Sequence, residues 1–516
     1  MNVLQILLTA LLALLGFGGS TPTPPAEPDD PQPPAESVVR PLTVGDALAV
    51  ADGPDGTKVL RTTDGRAVQL RGANVNTFVD YGGVRKTVPV TPVDGTQARA
   101  LGFSVIRLAV SWSAIEPQPG QFDQAYLDRV RDAARIFADQ GLYVLLDMHQ
   151  DRFGAGLIGG DGGESDGAPT WAAKTGGAST APGSSDGHPY YVTGASRAAA
   201  TAFFRNETVA GKPLQEHYAD AVQQIAAVGQ DLGPAFAGVE LYNEPVDPES
   251  TSLTGDTFSA SRLWPFYNRV ISRLRSGGYT APIWFEPVAT RTQNDRDPAA
   301  ARFSDDAGLV YGPHIYTNVY SGSNDSGTPG RIVQSFQAAA DEARKYHAAL
   351  TPTELPGAST GPWEAHRTAV LGQLDALNIG GMVWVWKQHP DYSYGWGVLN
   401  ADGSVRGETP IATGYGRARV QASGPRVVST VWQDGTLTVK TSGAGPVDLW
   451  DGAAFAGTAP ATGVSKRIRV DGVLPATGTV RAWNATSTLQ SSSAWVGGRQ
   501  LRVTVPAGEH TIVLRP

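Results

Sequence analysis

Two glutamates stand where they can do acid–base and nucleophilic chemistry. Glu244 lies in LYNEP (241–245) and Glu354 in TPTELP (351–356). Each closes an apolar or β-branched run just before a turn, so each reads as the C-terminal end of a strand. They are 110 residues apart, which three strand–helix units of about 35 residues would cover. That spacing puts them at the fourth and seventh strand ends of a barrel, facing each other across its mouth. Two facing carboxyls are the minimum equipment for glycoside hydrolysis: one protonates the leaving oxygen, and the other attacks the sugar carbon or activates water. An isolated Asn-Glu-Pro is more often an ordinary turn. Here a strand precedes it, a second strand-end Glu exists, and further polar strand ends accompany the pair.

Those further strand ends fit a sugar-binding mouth. Arg107 in VIRL would hold a neighbouring carboxylate ionised. Asn243 precedes Glu244 directly, and His149 (LLDMHQD), His314 and Tyr316 (GPHIY) also close strands. Tyr316 could hydrogen-bond Glu354 and adjust its proton affinity. Trp384 and Trp386 in MVWVWK alternate onto one face, where an aromatic platform could lie under a pyranose ring. His149, Asp151 and His314 are too scattered for a metal-ligand pattern, so no metal is expected. No phosphate-binding glycine loop or serine-hydrolase elbow is evident, and no cofactor is expected.

The elements needed to position these residues follow in order. Strand patterns occur at 67–75, 104–110, 142–149, 236–245, 281–287, 308–316, the segment ending at 351–356, and 380–386. Helical patterns lie between them, notably 126–141, ended by Gly141, and 214–229. Eight such units predict an α/β fold, a (β/α)8 barrel over 41–416. A long Gly-, Ser- and Asp-rich loop at 153–196 follows the strand that carries His149, and loops of that length usually serve function or move. From 417 to 516 the helical patterns stop, and short alternating strands predict an antiparallel β-sandwich.

The chain has 516 residues, 41 Lys plus Arg against 49 Asp plus Glu, a net charge of −8 and no Cys. The negative balance argues against a nucleic-acid partner. The missing Cys excludes disulfides, thiolate metal sites and a cysteine nucleophile. Residues 1–20 hold an apolar run followed by small residues, which reads as an export leader although no basic residue precedes Arg40. Residues 21–40 read as a Pro-rich linker. Together they predict a secreted, bacterial extracellular protein, expected to act as a monomer.

At these residues the chain resembles glycoside hydrolase family 5, a retaining (β/α)8 family. The likeness matches Asn243 and acid/base Glu244 in LYNEP, nucleophile Glu354, and the strand-end residues Arg107, His149, His314, Tyr316 and Trp386. It is closer to endoglycoceramidases and related glycosylceramidases, through DMHQD (147–151) with its long following loop, RGANVN (71–76), ELYNEP (240–245) and the C-terminal sandwich. The resemblance implies that Asp151 and Lys86, or alternatively Asp80, contact the sugar. It implies a glycosphingolipid or oligosaccharide substrate, contact with a membrane or micelle surface, and release of glycan and ceramide by double displacement. Glu244 would then need a raised proton affinity, supplied by the negative charge of Glu354. TELPG and WVWKQHPD (384–391) depart from the family pattern and bear on glycan preference.

A lipid acceptor needs an apolar groove, for which Leu157, Ile158, Trp171, Trp264 and Phe266 are candidates. The C-terminal sandwich is expected to cap the barrel rather than dock on a membrane. Rival readings are a β-glucosidase, diglycosidase or endoglucanase acting on a soluble glycan, and a non-catalytic carbohydrate-binding protein. The second would be expected to lack one of the two carboxylates.

Overall fold

The computed structural model describes residues 46–79, 87–157, 166–181, 193–249, 256–319, 325–357, 363–390, 396–404, 406, 411–452, 468–475, 480–488 and 495–515. The proposed leader and linker, and Asp80, Lys86 and Ile158, lie outside them.

Eight parallel strands form a closed ring. They are β1 (Arg71–Val75), β2 (Val105–Val110), β3 (Tyr143–Met148), β4 (Phe236–Glu240), β5 (Ile283–Phe285), β6 (Leu309–Tyr311), β7 (Ala349–Leu350, resumed at Leu355–Pro356) and β8 (Gly381–Trp384). Each pairs in parallel with the next. β8 returns to β1 through Gly381 opposite Arg71, which closes the barrel. The strands β1, β2, β3 and β4 are buried along their whole length. That is why their sequences read as continuous apolar runs rather than alternations.

Helices cover the outside because their apolar residues recur at helical spacing. In Gln124–Ala138 the residues Tyr126, Val130, Ala134 and Phe137 face the sheet. Asp123 caps its start by accepting the Tyr126 N–H at 2.9 Å. The helix ends at Ala138, three residues before Gly141, which takes the left-handed φ of +84° after the last turn.

Inside the barrel the two ends differ. The floor, at the N-terminal ends of the strands, is an apolar plug that includes Leu70, Val105, Tyr143, Leu145, Trp284 and Met382. The mouth is filled by buried charge. An N-terminal hairpin (Leu48–Asp52 with Lys58–Thr62) adds Leu48 and Leu60 to the floor plug.

Past Tyr415 the regular elements among the described residues are all strands. One antiparallel sheet contains Arg419–Ser423, Gly445–Trp450, Trp495–Val505 and Val480–Thr488. The other contains Arg426–Gln433, Thr436–Ser442, Glu509–Leu514 and Ile468–Val470. Val420, Leu437, Val439, Leu449, Leu501 and Ile512 interdigitate between them as the core of a sandwich. The strand Arg419–Ser423 is not isolated in the sequence as a strand because RARVQAS carries alternating arginines.

The sandwich sits under the barrel floor. Trp450 packs on Gly102, just before β2, so closely that a Cβ at Gly102 would lie 2.3 Å from the indole ring. Gly102 also has φ +76°, and its carbonyl accepts from Arg419 and Gln421. The sandwich therefore caps the end of the barrel opposite the two glutamates.

Candidate active site

Glu244 and Glu354 meet at the mouth. One oxygen of each, with one nitrogen of His314, lies within 4.8 Å of the others. Retaining glycoside hydrolases hold their carboxyls about 5–5.5 Å apart, while inverting ones need about 6.5–9.5 Å to admit a water. The pair therefore has the geometry of double displacement.

Arg107, fully buried at the centre, organises the acids. Its guanidinium donates to Glu354 Oε1 at 2.8 Å, Glu240 Oε2 at 2.5 Å, Asn243 Oδ1 at 2.7 Å and Asn74 Oδ1 at 3.0 Å. It also pairs with Asp147 at 3.1 Å and Glu286 at 3.2 Å. The Tyr316 hydroxyl donates to Glu354 Oε2 at 2.8 Å, so both oxygens of Glu354 are held. The Tyr316 ring stacks on Trp396, with centroids 5.7 Å apart.

Glu244 is placed by its backbone. It follows β4 with φ +42°, a conformation L-residues rarely adopt and one that clusters at functional sites. Its N–H donates to Glu286 Oε2 at 3.1 Å, and its carbonyl accepts from Gln150 Nε2 at 3.1 Å. The Gln150 side chain also bonds the Asn243 carbonyl at 2.7 Å, and the Asn243 amide returns a bond to Gln150 O at 2.9 Å.

His314 links three carboxylates. Its Nδ1 lies 2.8 Å from Glu244 Oε1 and 3.5 Å from Glu354, and its Nε2 lies 3.1 Å from Glu286 Oε1. Burial opposes its charge, but Glu286, Glu354 and Glu244 outweigh burial and hold its pKa well above the ordinary value. Glu286 is pushed up to about 8 by burial and by the neighbouring Glu240, against the pull of His314 and Arg107.

The proton affinities of the two glutamates run opposite to the sequence expectation. Burial raises that of Glu244, but the His314 hydrogen bond and charge prevail and hold it below the usual carboxylate range. Glu354 is held above that range by burial and the Glu244 charge, against His314 and Arg107. The cause is position: His314 is 0.7 Å closer to Glu244 than to Glu354.

Among the described residues, Glu244, His314 and Glu354 are also the group whose atoms approach closely enough to suit a cation. However, His314 Nδ1 already shares a proton with Glu244, and Arg107 and Tyr316 already donate to Glu354. The donor set suits proton sharing better than metal binding.

His149 stacks on Trp384 at 5.5 Å and accepts no neutral role: against its burial, Asp147 at 2.7 Å lifts its pKa to about 9. Asp151 lies 3.9 Å from His149 Nε2 and is partly exposed at the mouth. Its N–H donates to the buried Asp166, from the long loop, whose own pKa burial and Asp151 push up to about 7.

Trp386 needs correction. β8 ends at Trp384, so strand alternation does not carry on to residue 386. Trp384 faces the mouth beside His149. Trp386 is buried against Phe103, with its indole N–H on Asp94 Oδ1 at 2.7 Å. The proposed lipid-groove aromatics also lie elsewhere. Trp264 stacks on Phe303 at 4.7 Å and Phe266 is fully buried in the same core. Trp171 packs on Trp112 and His217, with its N–H on Glu116 O, and Leu157 is buried.

Asn74, Asp147, Glu240, Gln150 and Glu286 were not singled out from the sequence. Glu286 had a readable signal: IWFEP (283–287) repeats the Glu-Pro strand ending of LYNEP.

A parallel barrel with two carboxylates at this separation across its mouth defines a glycoside hydrolase with retaining geometry. The family model described as Cellulase (glycosyl hydrolase family 5) matches residues 62–390. The chain belongs to glycoside hydrolase family 5. It is 31% identical over 261 residues to endoglycoceramidase I of Rhodococcus hoagii, covering 49% of this chain and 50% of that one. It is 27% identical over 221 residues to an endoglycoceramidase of Cyanea nozakii, covering 38% of this chain and 42% of that one. The chain thus spans about half the length, or less, of these curated relatives. Its fold is similar to the crystal structure of an endogalactoceramidase, with TM-score 0.67 and 25% identity over 91% of this chain and all of that one (100%).

Proposed function

We propose that the chain is a retaining endo-glycosidase that cleaves the β-glycosidic bond between the glycan and ceramide of glycosphingolipids. The chemistry rests on the 4.8 Å cluster of Glu244, His314 and Glu354. The substrate class rests on one observation above the others: the likeness to the endogalactoceramidase runs the full length of that chain.

Glu354 acts as nucleophile. Its carboxylate attacks the anomeric carbon as the bond to the ceramide oxygen breaks, and a proton passes from Glu244 to that oxygen. Ceramide leaves, and the sugar remains as an ester of Glu354. Glu244, now ionised, takes a proton from water, whose oxygen attacks the anomeric carbon and releases the glycan. Glu354 returns to a carboxylate and Glu244 to the acid form.

The proton affinities supply the acid indirectly. In the resting site the shared proton favours His314 Nδ1 over Glu244. Transfer across their 2.8 Å bond makes Glu244 the acid and leaves His314 neutral. Glycosylation of Glu354 removes a neighbouring negative charge, which favours ionisation of Glu244 in the second step. Arg107 and Tyr316 offset the growing and vanishing charge on Glu354. Trp384 and the Tyr316–Trp396 pair give the sugar its aromatic walls, and Asp151 gives it a polar contact.

The test is a product assay. Purified protein is incubated in detergent with glucosylceramide, galactosyl-series glycosphingolipids and gangliosides, and the products are resolved by mass. Intact glycan plus ceramide is expected. Turnover of aryl glycosides or soluble oligosaccharides alone would overturn the lipid reading and leave a family 5 glycosidase acting on soluble glycan.

A further inference from the structure

The floor of the barrel has the opposite charge imbalance to its mouth. At the mouth one guanidinium, Arg107, faces Glu240, Glu354, Glu286 and Asp147. At the floor three buried guanidiniums, those of Arg71, Arg417 and Arg419, gather around one buried carboxylate, Asp375. Arg71 starts β1, Asp375 ends the helix Trp363–Ala376, and Arg417 and Arg419 lead into the sandwich.

The acceptors run out before the donors do. Asp375 Oδ1 accepts from Arg71 Nη2 at 3.0 Å, and Oδ2 pairs with Arg417. Arg419 spends its terminal nitrogens on the carbonyls of Tyr415, Arg417 and Gly102. Arg71 Nε and Nη1, Arg417 Nε, Arg419 Nε and the Tyr415 hydroxyl are buried with no hydrogen-bond partner among the described residues. Arg71 lies close enough to Tyr415 to act on its hydroxyl electrostatically.

A guanidinium cannot shed its charge to escape burial, unlike a lysine or histidine. Buried donors without acceptors are costly, and uncompensated buried cations more so. Water could accept the bonds but would leave the charge in place. We propose that this cluster is a binding site for a small inorganic anion, chloride foremost, held by Arg71, Arg417 and the Tyr415 hydroxyl. A halide needs no shaped pocket, only converging donors, and the Arg417 guanidinium already has one face covered by the Trp432 ring at 4.7 Å. The anion would fasten the start of β1 to the segment that leads into the first sandwich strand. It plays no part in hydrolysis at the opposite end.

The test follows thermal unfolding of the full chain in sodium chloride against sodium gluconate at matched ionic strength. Chloride is expected to raise the midpoint with the logarithm of its concentration once that exceeds the dissociation constant, by about 1–2 °C per tenfold. Tyr415→Phe keeps the charge and volume and removes one donor. It should raise the half-saturating chloride concentration by several-fold and leave hydrolysis unchanged. Arg71→Met, if it folds, should abolish the response. In crystals, bromide should replace chloride and give an anomalous signal beside Arg71 and Tyr415. Equal midpoints in the two salts with no bromide signal there would overturn the proposal in favour of water. A chloride response that Tyr415→Phe does not shift would also overturn it, by placing the ion elsewhere.

Discussion

Glu286 accepts the backbone N–H of Glu244 at 3.1 Å and, through its other oxygen, faces His314 Nε2 at 3.1 Å. One carboxylate therefore both holds the strained backbone of the acid/base and sets the charge of the imidazole that feeds it. Glu286→Gln should lower the proton affinity of His314, and with it that of the His314–Glu244 pair that carries the acid's proton. The alkaline limb of the kcat/KM profile should move to lower pH, with kcat reduced about 10–100-fold and KM changed less, in line with a positioning and proton-transfer role. A merely structural role would lower activity without moving the profile.

Glu354→Ala should cost about 10^3-fold or more in turnover with the fold intact, because nucleophile and charge stabilisation are lost together. Glu244→Gln should slow substrates with poor leaving groups far more than activated aryl glycosides. Near-native turnover of a lipid substrate by either variant would refute the roles given to these residues.

The two tryptophans flanking Val385 should separate cleanly. Trp384→Ala should raise KM with little change in melting temperature, since the ring is partly exposed at the mouth. Trp386→Ala should destabilise the fold by about 3–5 kcal/mol, as expected for deleting a buried indole, with the loss of its bond to Asp94 included. Denaturant unfolding and kinetics on both variants would check the contrast.

Stability should fall as pH rises above neutral. His149, raised to about 9, binds a proton more tightly in the fold than in the unfolded chain. Its contribution is complete below its unfolded value near 6.5 and is lost as pH passes 9, on the order of 3 kcal/mol. Glu286, raised to about 8, and Asp166, raised to about 7, act with the same sign, because their buried carboxyls must ionise. Asp166→Asn should flatten the decline between about pH 4 and 7. Urea midpoints across that range would show whether it does.

Gly102→Ala should destabilise by about 2 kcal/mol or more, combining a left-handed backbone with overlap on the Trp450 ring. A midpoint unchanged from the parent would mean that the sandwich does not bear on this turn.

The barrel was legible because its strands are buried on both faces and its helices carry a clear apolar stripe. Glu244 and Glu354 were legible because a carboxylate at a strand end beside Asn or within a polar turn has few structural uses. The charges between them were not. Glu240 and Asp147 look like ordinary strand residues, and only the parallel pairing of β2, β3 and β4 brings them onto Arg107. The order of proton affinities could not be read either, since it depends on a few tenths of an ångström around His314. Trp386 was misplaced because alternation holds only while a strand continues. Trp264 and Phe266 were misplaced because a helix start can be as buried as a strand.

One ladder joins parts of the chain that the sequence separates. From β7, Ala349 pairs with Lys58, Arg61 with Ala67, and Val68 with Ala422 of the first sandwich strand. The C-terminal region is consequently no interchangeable cassette. A replacement module would have to offer a strand in register with Val68, and removing the region would leave a raw sheet edge beneath the segment that carries Glu354. Fusion, shuffling or trimming at residue 416 is thus constrained by hydrogen-bond register, much as an insertion within the barrel would be.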